Sequence, residues 1–76
     1  MNDILSMLAE IKPEVDFKES NDFIMDGLLD SFDIISLTSM LEEEYNITID
    51  GLDIVPENFC SVDAIAELVK KSGGKI

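Results

Sequence analysis

The sequence has no histidine and no arginine, a single cysteine, and only five lysines against seventeen acidic residues. Each shortage removes a class of function. Catalysis near neutral pH leans on histidine, on a bound metal, or on a lysine or cysteine with a displaced pKa. No Cys/His cluster with metal-ligand spacing occurs either, so the chain is expected not to be an enzyme. The lone Cys60 cannot close an internal disulfide, and no apolar run near the N-terminus reaches the length of a signal peptide or membrane span. A reducing, cytoplasmic setting is therefore expected. Without a histidine or arginine to lower its pKa, Cys60 reads as a small buried residue rather than a reactive thiol.

What is present is acid. The net charge is -12, and the lysines sit only at Lys12, Lys18, Lys70, Lys71 and Lys75. From Glu19 to Val69 there are thirteen acidic residues and no basic one, so the middle of the molecule projects an unrelieved negative field. Nucleic acid and anionic membrane are excluded as expected partners. Such a field either keeps a small protein soluble or speeds association with basic protein surfaces. At 76 residues the chain is expected to be one domain over residues 1–76, burying only ~60% of its unfolded surface around one core.

Apolar spacing sets the organisation. Ile4, Leu5, Met7, Leu8 and Ile11 follow a helical period that Asn2 or Asp3 can cap and Pro13 stops. Residues 12–30 show no sustained period and read as a long loop, which is uncommon inside a compact domain unless its own side chains pin it. Phe17, Phe23, Ile24, Leu28 and Leu29 are the candidate pins. A central helix from Ser31 to Tyr45 has Ile34, Leu37, Leu41 and Tyr45 on one stripe, flanked by Ile35 and Met40. Asn46 to Asp50 alternates like a strand, yet no second strand exists for it to pair with. Pro56 suits a short helix running to about Phe59. Ser61 caps a last helix with Val62, Ile65, Ala66 and Val69 inward, Lys70 and Lys71 complement its dipole, and Gly73-Gly74 ends it. The expected fold is all-α: a small bundle of three to four helices in which the long loop lets helix one run antiparallel to the central helix.

Carboxylate pairs such as Asp30 with Asp33, or the run Glu42-Glu43-Glu44, have no concave pocket in so small a chain to split their pKa values, and read as solvated helix faces. The segment that stands out is Gly27-Leu28-Leu29-Asp30-Ser31-Phe32-Asp33, a turn glycine and two leucines leading into the central helix. By local pattern alone, Asp30 or Ser31 is a helix N-cap and nothing more. The segment also resembles the attachment motif of acyl and peptidyl carrier proteins, where Asp-Ser-Leu or Asp-Ser-Met is usual. The similarity extends to helix one, the long loop, Glu42-Glu43-Glu44-Tyr45 before Asn46-Ile47-Thr48-Ile49, and the start Ser61-Val62-Asp63-Ala64-Ile65 of the last helix. It covers nearly the whole chain.

That resemblance implies an acyl-carrier-type bundle bearing 4'-phosphopantetheine on Ser31, attached by a phosphopantetheinyl transferase from coenzyme A with Mg²⁺, and Asp30 helping to hold the metal during transfer. It implies a monomer that carries an acyl or aminoacyl group as a thioester. Its other partners would be acyl- or aminoacyl-loading ligases and synthases with basic surfaces. These would read Asp30, Phe32, Asp33, Glu42 and Glu43 on the central helix and Glu57 on the short one. Phe32 stands where leucine or methionine is usual, and Ser36 where many acyl carriers have an acid. The Gly27-Leu28-Leu29 lead-in is closer to D-alanine carriers and nonribosomal peptidyl carriers than to the Leu-Gly-Ala of fatty-acid carriers. Fatty acid, polyketide, nonribosomal peptide and D-alanine pathways all stay open.

Two other classes compete. Asn46, Thr48, Asp50, Gly51 and Glu57 match positions 1, 3, 5, 6 and 12 of a calcium-binding EF-hand loop, but position 1 is normally aspartate, Thr48 is a neutral ligand, and Pro56 interrupts the exit helix. A small acidic helical adaptor, or a protein that binds divalent cations ionically, would use Ser31 only as an N-cap.

Overall fold

A computed structural model of the chain describes residues 4–74. Among these residues there are three α-helices, α1 Ile4–Ile11, α2 Ser31–Tyr45 and α3 Val62–Lys71, and no strand. The caps expected at Asn2 or Asp3 lie outside the described residues. Three short 3₁₀ turns, Phe17–Glu19, Gly51–Asp53 and Pro56–Asn58, sit in the connections. Only the last was legible in the sequence, through Pro56 at a position where a missing N–H costs nothing.

Helix α1 buries Ile4, Met7 and Leu8, the i, i+3, i+4 spacing that places side chains on one face. It packs against both α2 and α3. Lys12, just past its C-terminal end, meets Asp33 in the first turn of α2. Met7 and Glu10 share a groove with Met40, Glu43 and Glu44 further along α2. Chain order along the two helices is therefore opposed, and they run antiparallel as expected.

Helix α2 buries Ile34, Leu37, Thr38 and Leu41. The Thr38 hydroxyl, the one polar side chain at that depth among the described residues, donates to the Ile34 carbonyl at 2.8 Å and so carries no unmet hydrogen bond. The helix stops at Asn46, which takes left-handed backbone angles (φ 54, ψ 53), a conformation asparagine tolerates better than most side chains. Helix α3 begins on Ser61, whose hydroxyl accepts the Ala64 N–H at 3.1 Å. It ends where Gly73, at φ +99, turns the chain so that Gly73 N–H reaches the Lys70 carbonyl (3.1 Å) and Gly74 N–H the Val69 carbonyl (2.8 Å). Any side chain on Gly74 would collide with that of Val69.

The core draws heavily on the connections. Phe17, Phe23, Leu29, Ile49 and Phe59 are buried beside Ile65, Leu68 and Val69 of α3 and the apolar faces of α1 and α2. Phe17 and Phe23 meet edge to face, 5.1 Å between centroids and 83° between planes, the arrangement that aromatic quadrupoles favour. Ile24 and Leu28 pack at the margin. All five expected pins thus face the core. The extended segment after α2 finds its hydrogen bond in a side chain instead of a second strand: the Ile49 N–H donates to the Glu42 carboxylate at 2.9 Å. Three residues depart from the sequence reading. Ile35 projects outward, 60% exposed, because it lies on the far edge of the stripe where neither α1 nor the second connection covers it. Leu68, not expected inside, is buried. Cys60 is half-buried, with its thiol against the Glu57 carbonyl at 3.3 Å.

Leu37 and Ile35 give a matched pair for testing this packing. Leu37→Ala should cost about 2–5 kcal/mol, the usual toll of a core cavity, whereas Ile35→Ala should stay within about 0.5 kcal/mol of the parent. Urea unfolding followed by circular dichroism reads both, and equal midpoint shifts would place the core on the wrong face of α2.

Candidate functional site

The chain reaches Ser31 through a loop that fixes its own backbone. The Asp22 carboxylate accepts the N–H groups of Ile24 and Met25, each at 3.0 Å. Gly27 (φ +72) reverses the direction, using backbone angles that glycine adopts at little cost. The N–H of Leu28 (2.8 Å) and of Leu29 (3.3 Å) both return to the carbonyl of Phe23. Phe23 is itself tied to the second connection, its N–H donating to the Cys60 carbonyl at 2.7 Å. Leu29 is thereby buried, and the next residue emerges at the surface as the start of α2.

Asp30 is the N-cap. Its Oδ1 accepts the Asp33 N–H at 2.9 Å, and the Asp33 carboxylate answers by accepting the Asp30 N–H at 3.2 Å, closing a reciprocal capping box. The hydrogen bond from the Asp33 N–H, helped by the Lys12 charge, holds the Asp30 carboxyl below its ordinary value. The alternative in which Ser31 is the cap is corrected accordingly: Ser31 is the first residue of α2 and exposed. Among the described residues its hydroxyl makes no hydrogen bond. Aspartate takes the capping task because its carboxylate both reaches the N3 amide and suits the positive end of the helix.

Beside the serine, Phe32 stands 80% exposed and Ile35, also exposed, lies one turn further along; Met25 and Leu52 are the other large exposed apolar side chains among the described residues. The remaining acids expected on a partner-reading face divide. Asp33 is occupied internally, since the oxygen that completes the box also pairs with Lys12 Nζ at 3.2 Å and its side chain is only 13% exposed. Asp33 in turn raises the pKa of Lys12 by hydrogen bond and charge. Glu42 is half-buried and holds the Ile49 amide. Glu43 is exposed and, with Glu10, Glu44, Met7 and Met40, lines an open groove of about 300 Å³ between α1 and α2. Glu57 is exposed on the turn Pro56–Asn58.

The residues with EF-hand spacing are used otherwise. Asn46 closes α2, and the Asp50 carboxylate caps the following turn by accepting the Leu52 N–H at 2.9 Å. Among the described residues no three or more His, Cys, Asp or Glu side chains are gathered to hold a metal. No helix among them is long and apolar enough to cross a membrane.

Sequence reasoning missed Lys12. Nothing local marks it, because its partner lies on the far side of the long loop. Chemically, the arrangement offers a solvent-facing hydroxyl at a helix N-terminus, held by a cap that does not use it, and no base of its own beside it. No family model matches the chain, and comparison with curated proteins and with solved structures returns no match.

The lowered Asp30 pKa has a defined consequence. A carboxyl whose folded pKa lies below the ordinary 3.8 contributes stability that is present above that value and disappears as pH falls through the lowered one. Asp30→Asn keeps a capping oxygen without the charge. Its thermal midpoint should lie a constant interval below the parent's near neutral pH, and the interval should shrink once the pH drops below 3.8. An interval unchanged down to the acid limit would mean that the charge contributes nothing to the cap.

Proposed function

We propose that the chain is a carrier, with Ser31 as the point of attachment for a 4'-phosphopantetheine arm, as the resemblance to acyl and peptidyl carrier proteins implies. The observation that carries the reading is the division of labour at the start of α2. Asp30 caps the helix, so the exposed Ser31 hydroxyl can be esterified without removing a cap. The residues also suit a phosphodiester there, because the free amides and positive end of a first helical turn favour an anion. Once attached, the arm supplies a terminal thiol that holds an acyl or aminoacyl group as a thioester.

The chain's own residues present and steer. Ser31 Oγ forms the new bond to phosphorus as the pyrophosphate bond of coenzyme A breaks and its adenosine bisphosphate half leaves, and the hydroxyl proton passes to a base of the transferase, since the chain has no histidine to take it. Asp30 has one carboxylate oxygen bonded to the Asp33 amide, and by the resemblance its carboxylate is the candidate metal contact during transfer. Phe32 and Ile35 offer an apolar anchor, and Glu43 and Glu57 exposed negative charge, suited to a basic enzyme surface with an apolar depression. Glu42, engaged with the Ile49 amide, contributes to that face by charge more than by contact, and Asp33 is paired with Lys12.

A second reading draws on the exposed Phe32 and Ile35 alone: an acidic helical adaptor docking through α2 with no modification. The two separate on intact mass after incubation with coenzyme A, Mg²⁺ and a broad-specificity phosphopantetheinyl transferase. The parent should gain one phosphopantetheine and Ser31→Ala none. If transferases of several families leave the parent unmodified, the carrier reading falls and the adaptor stands.

A further inference from the structure

The only cation paired with a carboxylate of the α2 cap, among the described residues, arrives from another element. Lys12 follows α1, and its Nζ lies 3.2 Å from Asp33 Oδ2, the same oxygen that accepts the Asp30 N–H. The pair is sheltered, with the two side chains 29% and 13% exposed, so solvent screens it less than a bridge at the open surface. One oxygen thus joins the end of α1 to the residue preceding Ser31. Among the described residues the other ion pairs are Lys70 with Glu67 within α3, and Lys71 of α3 with Asp53 of the second connection at 2.8 Å.

We propose that Lys12 is a positioning residue for modification of Ser31: by pairing with Asp33 it holds the capping box closed and cancels one of the two carboxylate charges flanking the serine. The proposal rests on the carrier reading and assigns it a residue outside the α2 motif. Two physical effects act together. An anionic donor such as coenzyme A approaching Ser31 meets Asp30 and Asp33, and neutralising one of them halves the local like charge. A transferase that recognises a formed turn also binds more tightly when that turn is already closed, since less ordering is left for the encounter. Both effects act on recognition, before any bond changes, so they belong in KM for the carrier and not in kcat. Asp33, on this account, works from inside the molecule: its loss would open the capping box but would also remove the charge that loss of Lys12 exposes.

The test is steady-state phosphopantetheinylation, read by intact mass with a broad-specificity transferase, coenzyme A and Mg²⁺. Parent, Lys12→Met, Lys12→Arg and Lys71→Met are compared at a temperature where circular dichroism shows all four folded. Lys12→Met keeps an apolar stem and loses the charge. Lys71→Met loses the same charge and an ion pair that does not involve the α2 cap, so it controls for net charge and for general loosening. Lys12→Met should raise KM for the carrier about threefold to fivefold, on the scale of one lost ion pair, with kcat little changed. Lys12→Arg should restore it, and Lys71→Met should match the parent. A KM for Lys12→Met equal to that of the parent, or an equal rise in Lys71→Met, would overturn the role of Lys12 while leaving the carrier reading intact. A parent that accepts no phosphopantetheine would overturn the carrier reading itself, and the proposal with it.

Discussion

Phe23 is the residue through which the rest of the structure is connected. Its ring is buried against Phe17, its N–H reaches the Cys60 carbonyl, and its own carbonyl gathers the amides of Leu28 and Leu29. A nineteen-residue connection, from residue 12 to residue 30, would otherwise lose a large conformational entropy on ordering with little to offset it. Burial of the two rings and of Leu29 supplies the offset. The backbone bonds then direct the chain outward at Asp30, so the place where α2 begins is set by tertiary anchoring as much as by the cap.

Acidity, read from composition, is a field; in the fold much of it is joinery. With four glycines and two prolines, the chain builds its turns from carboxylates. Asp16, Asp22, Asp30, Asp33, Glu42 and Asp50 each accept a backbone amide that would otherwise lack a partner. This narrows the set of acids free to meet a partner, leaving Glu43 and Glu57 more available than Asp33 or Glu42.

On the proposed carrier reading, the site at Ser31 would work by presentation. A hydroxyl that served as a cap would be lost to the fold on modification, and a hydroxyl buried in the core would be unreachable. Ser31 is neither, because Asp30 carries the cap and Leu29 carries the burial. On that reading chemistry on such a group would come from outside, in keeping with a chain that has no histidine and whose Lys12 is already paired with Asp33.

Sequence alone determined the three helices, most of their ends, the five pins of the long connection and the Asp30-Ser31 junction. The helices, their ends and the junction are local matters, settled by a 3.6-residue apolar period, by proline and glycine at the helix borders and by short side chains that bond amides two or three residues away, while the pins are read from apolar residues standing in a stretch with no period. Tertiary structure alone decided that Lys12 meets Asp33, that Glu42 holds Ile49, and that Ile35 faces out while Leu68 faces in. Each of those depends on which elements the closed loops bring together. A helical period shows that a stripe exists but not how wide the neighbouring elements will cover it, and an ion pair across a long loop leaves no mark on the residues either side of it.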